Sequence, residues 1–198
     1  MSFRTLLLSS PEVDENNKPL LRVEARARIA AQIALVWAGG RQDLNPEEVA
    51  VAALLAGAGD LLLWLYADEI PQKAEDELRA GRAQRSAQAQ MQACGFTFKQ
   101  LTLLCAERWK LPGLVLQLLR GAESVRAQLT RTCSNAERHV LDDSENSNLA
   151  LASDLLDASR LIPNVSLEWL IDGLAMLPED RRPDLLAAAQ TVSSTSGS

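Results

Sequence analysis

Residues 95–112 read GFTFKQLTLLCAERWKLP and decide the fold, because they hold a helix start, an apolar run and a helix end. Thr97 and Gln100 stand three residues apart directly before the apolar run, which is the spacing of a capping box. Apolar residues then recur at helical spacing at Leu101, Leu104 and Cys105. The closing Trp-Lys-Leu-Pro predicts that this helix ends and that another runs over 114–119.

A second stretch, residues 49–67, is almost wholly apolar and contains AALLAGAGDLLL at 52–63. Its length approaches that of a membrane span, but Asp60 near its centre would cost about 2.5–3.5 kcal/mol in a bilayer. Gly57 and Gly59 instead predict a break between two helices, with Asp60 as the N-cap of the second. We therefore predict two buried core helices here and no membrane segment.

The rest of the chain shows helix signals separated by glycine and proline. Apolar residues at helical spacing predict a helix over 22–38, which Gly39-Gly40 ends as a left-handed cap. Asn45 as N-cap and Pro46 at the first position predict the start of the next. Further helices are predicted over 71–81, 84–93, 123–141, 149–161, 166–177 and 183–192, with an acidic loop at 142–148 and a disordered tail at 193–198.

Composition favours an all-α fold and disfavours nucleic-acid binding. The chain of 198 residues is 47% hydrophobic but only 4% aromatic, and its abundant Ala and Leu favour helix over strand. The net charge of -6, from 20 basic and 26 acidic residues, opposes attraction to a phosphate backbone. Two local basic faces remain open, and a solvated helix face is the favoured interpretation of both: Arg79, Arg82 and Arg85, and Arg126, Arg131 and Arg138.

Cysteine usage and the N-terminus indicate a cytoplasmic protein. Cys94, Cys105 and Cys133 are odd in number, widely spaced and without a CxxC pair, so neither a disulfide framework nor a zinc site is predicted. The run of three leucines near the N-terminus is too short for a signal peptide.

The sequence contains few residues in patterns typical of catalytic sites. Its one histidine, His139, lies in a charged helix and is predicted to be a surface residue, since a zinc site needs further His or Cys ligands. Pairing of His139 with a cysteine remains formally open but has no motif to support it. Walker, GxSxG and HExxH motifs are absent, and the acids Asp60, Asp68 and Glu69 are interpreted as helix-end residues. No metal and no cofactor is predicted.

Together, 52–63 and 95–112 resemble the HD-related output domain (HDOD) family. The family's first block commonly reads LLHDIG, and its second resembles G-x-D-H-x-x-x-G-x-x-L-x-x-x-W-x-L-P. The order of the blocks, the helix between them and the closing W-x-L-P match, over roughly 3–141. The resemblance implies an HD-domain-like orthogonal helical bundle, in which the matched structural positions are Gly59, Gly95, Trp109, Leu111 and Pro112.

The resemblance also implies that the metal ligands of catalytic HD relatives have been lost. Ala56 and Gly57 stand at the His-Asp pair, and Thr97 and Phe98 stand at the Asp-His pair. The His-His expected after W-x-L-P falls near Ala122-Glu123. HD-type phosphohydrolysis needs several His and Asp side chains around one or two metal ions. We therefore expect packed apolar side chains there, with Phe98 filling part of the space.

The predicted organisation is one compact domain. Residues 1–141 form the HDOD-like part, which begins after the position of the family's usual N-terminal helical lobe. The helices over 149–192 extend beyond the part that the resemblance covers, and we expect them to pack on the same domain.

The predicted function is a non-catalytic signalling or regulatory module of bacterial type that acts through contacts with another protein, a signalling domain or an enzyme. HDOD proteins are often joined to receiver, GGDEF or EAL domains, so two-component or cyclic di-GMP pathways are the implied context. The predicted contact surfaces are the polar segment 71–93 and the C-terminal helices. The alternatives are a metal-dependent phosphohydrolase of the HD type and a helical nucleic-acid-binding domain; the oligomeric state and the partner stay open.

Overall fold

The computed structural model describes residues 18–42, 45–121, 123–142, 144, 146–174 and 176–196, and these contain helices and no strand, which confirms the all-α class. The α-helices are α1 (Lys18–Gly40), α2 (Pro46–Leu55), α3 (Ala58–Tyr66), α4 (Glu69–Arg79), α5 (Ser86–Cys94), α6 (Phe98–Arg108), α7 (Gly113–Arg120), α8 (Val125–Val140), α9 (Ser147–Leu161), α10 (Leu167–Asp172) and α11 (Arg182–Ser196). A 3₁₀ turn, Glu179–Arg181, precedes α11.

The chain divides into two compact units. The first comprises Met1–Ala25 and Leu55–Leu111, and the second comprises Arg26–Leu54 and Pro112–Ser198. In this division, residues 26–54 group with the C-terminal helices.

The first unit is built around α3, which packs against α4 and α6, while α4 packs against α5. Apolar residues every three or four positions give α3 two buried sides. On one side Leu63 belongs to a cluster with Ala74, Ala83, Ala89 and Phe98. On the other, Leu61 and Trp64 pack with Leu20 and Val23 of α1. The two clusters hold α3 in place, and Ala56 and Gly57 directly precede this helix.

The second unit is built around α9, which packs against α8, α10 and α11. Arg181 joins the two ends of the segment between α8 and α9. Its guanidinium donates to the carbonyl oxygens of His139 (3.2 Å) and Val140 (2.9 Å), and to the side chains of Ser147 (3.1 Å) and Asn148 (2.8 Å). The last carbonyls of α8 have no partner inside their own helix, so Arg181 stabilises that helix end.

Several helix ends differ from their predicted positions. Helix α1 continues through Gly40, and Gln42 (φ 60°), not a glycine, adopts the left-handed conformation. A Cβ at Gly40 would overlap the indole ring of Trp169, so close packing explains this glycine. Helix α4 begins at Glu69, two residues before Pro71. Proline is accommodated in a first turn because the N–H that it lacks would have no partner within the helix.

Three predicted boundaries in the C-terminal part were also wrong. Helix α9 begins at Ser147, inside the predicted loop over 142–148. Helix α10 ends at Asp172, earlier than predicted. Helix α11 continues to Ser196, so residues 193–196 of the predicted disordered tail are helical, and residues 197–198 lie outside the described residues. The small polar residues there still permit helix, with Thr191 and Ser194 hydroxyls donating to carbonyls of the preceding turn.

The predicted break in the apolar stretch is present, since α2 ends at Leu55 and α3 begins at Ala58. By length and composition alone, Pro46–Tyr66 is the one described segment that is apolar enough to cross a membrane, and less than half of its most apolar window is buried. Buried helices of a protein core meet the same criterion.

Candidate functional site

The contact between α3 and α6 brings the first two sets of degenerate positions into one unit. Gly59 is the residue of closest approach, because a Cβ there would overlap the carbonyl oxygen of Phe98 and lie 3.0 Å from the Thr102 hydroxyl. The Gly59 N–H donates to the Thr102 hydroxyl oxygen at 2.9 Å. The buried Thr102 hydroxyl in turn has two carbonyl acceptors, Phe98 (3.1 Å) and Ala56 (3.4 Å). The two helices are therefore joined by a buried polar contact that leaves no space for a ligand between Gly59 and Thr102.

Asp60 does not cap α3, and Thr102 of α6 bonds to the first turn of that helix instead. The helix begins at Ala58, and the residue before it, Gly57, has no side chain to accept a hydrogen bond. Asp60 consequently lies in the first turn, so the predicted cap was wrong. Thr102 supplies from α6 the acceptor that a local N-cap side chain would normally supply to a first-turn N–H.

Phe98 and Thr97 both have structural roles. Phe98 is 8% exposed and packs in the apolar cluster of the first unit. Thr97 is the N-cap of α6: its hydroxyl accepts from the Gln100 N–H (3.2 Å), and its own N–H donates to the Gln100 side chain (2.8 Å). The predicted capping box is confirmed. The Thr97 oxygen is thus engaged in holding the helix start.

The remaining degenerate positions provide one carboxylate. Ala56 and Gly57 lie between α2 and α3, where Val23 is the nearest neighbour to a Cβ at Gly57, at 4.0 Å. Glu123 is exposed before the N-cap of α8, and Ala122 lies outside the described residues. Among the described residues, no group of three or more His, Cys, Asp or Glu side chains is placed to hold a metal ion. The residues Ala56, Gly57, Thr97 and Phe98 do not fit an HD metal centre.

The matched structural positions form the ends of helices. Gly95 (φ 80°) ends α5 in the left-handed conformation. At the end of α6, the Leu111 N–H donates to Ala106 and the Lys110 N–H to Glu107, which is a Schellman motif with Lys110 (φ 55°) at the left-handed position. Pro112 then precedes α7. Trp109 ends α6 but is 50% exposed, so this indole is not a core residue.

The second unit contains a buried carboxylate, Asp154, that sequence reasoning had not singled out. Asp154 of α9 has a side chain only 13% exposed, with its Oδ2 3.8 Å from Nε2 of His139 on α8. Burial raises the pKa of Asp154 to about 7, and Asp157 raises it further while Arg138 opposes the shift. Burial lowers the pKa of His139, although Asp142 opposes this shift. His139 is half-buried, so its predicted position on the surface is only partly correct.

A sequence signal for Asp154 was present. It falls on the same helical stripe as Leu151, Leu155 and Ala158, all fully buried, so the pattern places a carboxylate on an apolar face. Cys133 is buried on α8, and burial raises the pKa of its thiol, which keeps it from acting as a thiolate.

The first of the two predicted basic faces is partly neutralised by local acids. Arg79 pairs with Glu75 (3.2 Å) and Asp76 (3.0 Å), and Arg82 pairs with Glu77 (2.8 Å). The second face, on α8, exposes Arg131 and Arg138.

A family model for the HDOD domain matches residues 11–138, which is more than half of the chain. Neither the curated proteins nor the solved structures contain a significant match.

Proposed function

The chain belongs to the HDOD family, and on that premise we propose that it is a non-catalytic regulatory module that acts through contacts with another protein. The family membership is consistent with a signalling-associated domain. The observation that carries the rest is the α3–α6 contact, where Gly59 and Thr102 join the helices closely.

Two features support the absence of HD-type chemistry. First, Ala56, Gly57 and Phe98 offer no side-chain oxygen or nitrogen, and Thr97 uses its hydroxyl as a helix cap. Second, Phe98 is part of the apolar core, so a ligand in its place would need a rebuilt cluster. A metal that activates water needs several such donors and an open coordination position.

Exposed apolar side chains near the end of α6 support a role in protein contact. Leu104 is 64% exposed and Trp109 is 50% exposed, and Tyr66 at the end of α3 is 65% exposed. Trp and Tyr are enriched among residues that dominate binding energy at protein interfaces. The predicted polar segment 71–93 adds Leu78 and Met91, both exposed, but its arginines 79 and 82 are engaged locally.

The proposal places the protein in the bacterial cytoplasm, in a two-component or cyclic di-GMP pathway. The three cysteines are free, which suits a reducing compartment. The pathway rests on the family membership alone.

Metal analysis and a phosphodiesterase screen test the non-catalytic part. We expect purified full-length protein to contain substoichiometric Mn, Fe, Zn and Mg, and to leave bis-p-nitrophenyl phosphate and cyclic di-GMP intact after addition of each metal. Stoichiometric metal together with turnover would overturn the proposal. Phe98→His tests whether a single ligand restores metal binding, and we expect no gain because Ala56 and Gly57 supply no second ligand and the Thr97 hydroxyl caps α6.

Binding to a captured partner tests the protein-contact part. Tagged full-length protein captures candidates from lysate of the source organism, and each candidate is purified and titrated against the wild type and Leu104→Glu. We expect the variant to lower affinity at least tenfold, which is about 1.4 kcal/mol. Leu35→Glu is the matched control, because Leu35 is an exposed leucine (46%) of the other unit and lies outside the predicted contact surfaces. Equal affinity for the wild type and both variants would exclude the α6 surface.

A further inference from the structure

Asp154 lies in the contact between α8 and α9 without a hydrogen-bond partner for one of its oxygens. Its Oδ2 has no accessible surface and accepts no hydrogen bond from the described residues. The nearest group able to carry a positive charge is the imidazole of His139, at 3.8 Å. A buried carboxylate without a bond is costly when charged, so it favours the protonated form. The distance is about 1 Å longer than a hydrogen bond, so a small rotation of the imidazole would form one.

Other charged groups around the pair are exposed or engaged elsewhere. On α8, Glu137 accepts from Arg26 at 2.9 Å, and Arg138 is exposed. On α9, Asp157 pairs with Arg160 at 2.9 Å. Asp142, in the turn after α8, accepts from Ser144. The charged groups of the elements packed against α9 are either exposed acids or arginines with their own partners: Glu168, Asp172, Glu179, Asp180 and Asp184 are exposed, Arg181 donates to carbonyls and side chains of the α8–α9 segment, and Arg182 pairs with Asp172 and Glu179.

We infer that Asp154 and His139 share one proton, and that this proton holds the end of α8 against α9. The proton resides on Oδ2 of Asp154 or on Nε2 of His139, and the pair is neutral overall in either state. Loss of the proton leaves a buried carboxylate beside a neutral imidazole. The contact then weakens at the last turn of α8, next to the turn that carries Asp142. The Asp154–His139 pair therefore makes the stability of the α8–α9 contact depend on pH.

The direction of the effect follows from the pKa of Asp154. Its pKa in the closed contact is about 7 against an ordinary 3.8, so opening releases a proton between these values. Opening is therefore favoured as pH rises from about 4 to about 7, and no further above 7. His139 acts in the opposite direction below pH 6.5, because its pKa is lowered in the closed contact. An Asp154→Asn variant keeps the effect of His139 on opening and removes that of Asp154. The opening constant of the wild type divided by that of the variant therefore reports the contribution of Asp154 alone.

The single histidine makes the test direct, because the imidazole Hε1 proton of the full chain gives one NMR resonance. We expect the wild-type resonance to show two inflections, one from Asp154 near its pKa of about 7 and one from His139 itself. Asp154→Asn should show one. Asp157→Asn is the matched control, an exposed aspartate on the same helix, and should keep both. A single inflection in the wild type would overturn the inference whether or not the variant folds.

Hydrogen exchange tests the mechanical consequence. Exchange of the backbone amides of 138–142, corrected for intrinsic rates, gives the opening constant of this segment. The ratio of the wild-type constant to that of Asp154→Asn should rise with pH up to 7. The rise is at most about tenfold per pH unit for one linked proton, and the ratio should be constant above pH 7. A ratio independent of pH would contradict the inference. Neither measurement involves a partner protein, so failure here leaves the proposed function standing.

Discussion

The α3–α6 contact and the α8–α9 contact differ in the kind of side chain that each one buries. The first stands where a family motif leads one to expect charged ligands, yet Gly59, Thr102 and Phe98 fill it with close packing and one satisfied hydroxyl. The second contains neither of the two family motif blocks, yet it buries Asp154 beside His139. The buried carboxylate of Asp154 is thus separate from the family motif. The described motif positions pack the first unit, whereas Asp154 and His139 lie in the second.

The largest expected effect tests the closeness of the first contact. Gly59→Ala should destabilise the first unit by about 3 kcal/mol or more, because the new Cβ would overlap the carbonyl oxygen of Phe98, which belongs to the backbone. Urea denaturation followed by far-UV circular dichroism measures the loss. Gly57→Ala is the matched control, where a Cβ has its nearest neighbour at 4.0 Å, and should change stability by less than about 1 kcal/mol. Equal effects at both glycines would show that α3 and α6 do not approach at Gly59.

A second prediction tests whether polar burial in the second unit is stabilising. Glu137 is buried on α8 and accepts three hydrogen bonds from the Arg26 guanidinium, at 2.9–3.2 Å. Arg26→Met should cost about 2 kcal/mol, less than a fully buried pair because the Arg26 side chain is 32% exposed. Arg79→Met breaks the exposed pairs with Glu75 and Asp76 and should cost no more than about 0.5 kcal/mol. If adding Glu137→Gln to Arg26→Met recovers nothing, the loss does not come from an unpaired charge.

Thr102→Val comes next in size. Valine has the shape of threonine but cannot accept the Gly59 N–H, so we expect a loss of about 1–2 kcal/mol from a buried unpaired donor. Thr132→Val serves as the control, because the Thr132 hydroxyl only donates to Gln128 in its own helix, a bond whose loss leaves no buried N–H. Thermal denaturation of the two variants gives the difference. A Thr102→Val protein as stable as the control would mean that water replaces the hydroxyl.

Local signals predicted the helices well and the contacts between them poorly. The Thr97–Gln100 capping box and the left-handed Gly95 depend on residues within one turn, so the sequence is sufficient for them. Gly40 was misinterpreted, because the contact that requires a glycine there is with Trp169, far away in the chain. The contact between Gly59 and Thr102 was not predicted for the same reason. Asp154 was overlooked for a similar reason. Its helical stripe was visible, but its nearness to His139 requires the α8–α9 contact.

The smallest predicted effect concerns Lys110, at the end of the W-K-L-P motif. Helices α4 and α6 end in the same Schellman arrangement, but the left-handed position is Gly81 (φ 69°) in one and Lys110 (φ 55°) in the other. Lys110→Gly should therefore raise stability by about 0.5–1 kcal/mol, and Gly81→Ala should lower it by a similar amount. Chemical denaturation measures both changes, and a Lys110→Gly protein less stable than the wild type would contradict the reasoning. If Lys110→Gly also weakens binding of the partner captured through the α6 surface, the lysine is kept beside Trp109 for contact at a cost in stability. In that case the two ends of the motif region 95–112 would have different roles. The buried residues Phe98 and Thr102 would serve packing, and the exposed end at Trp109 would serve recognition.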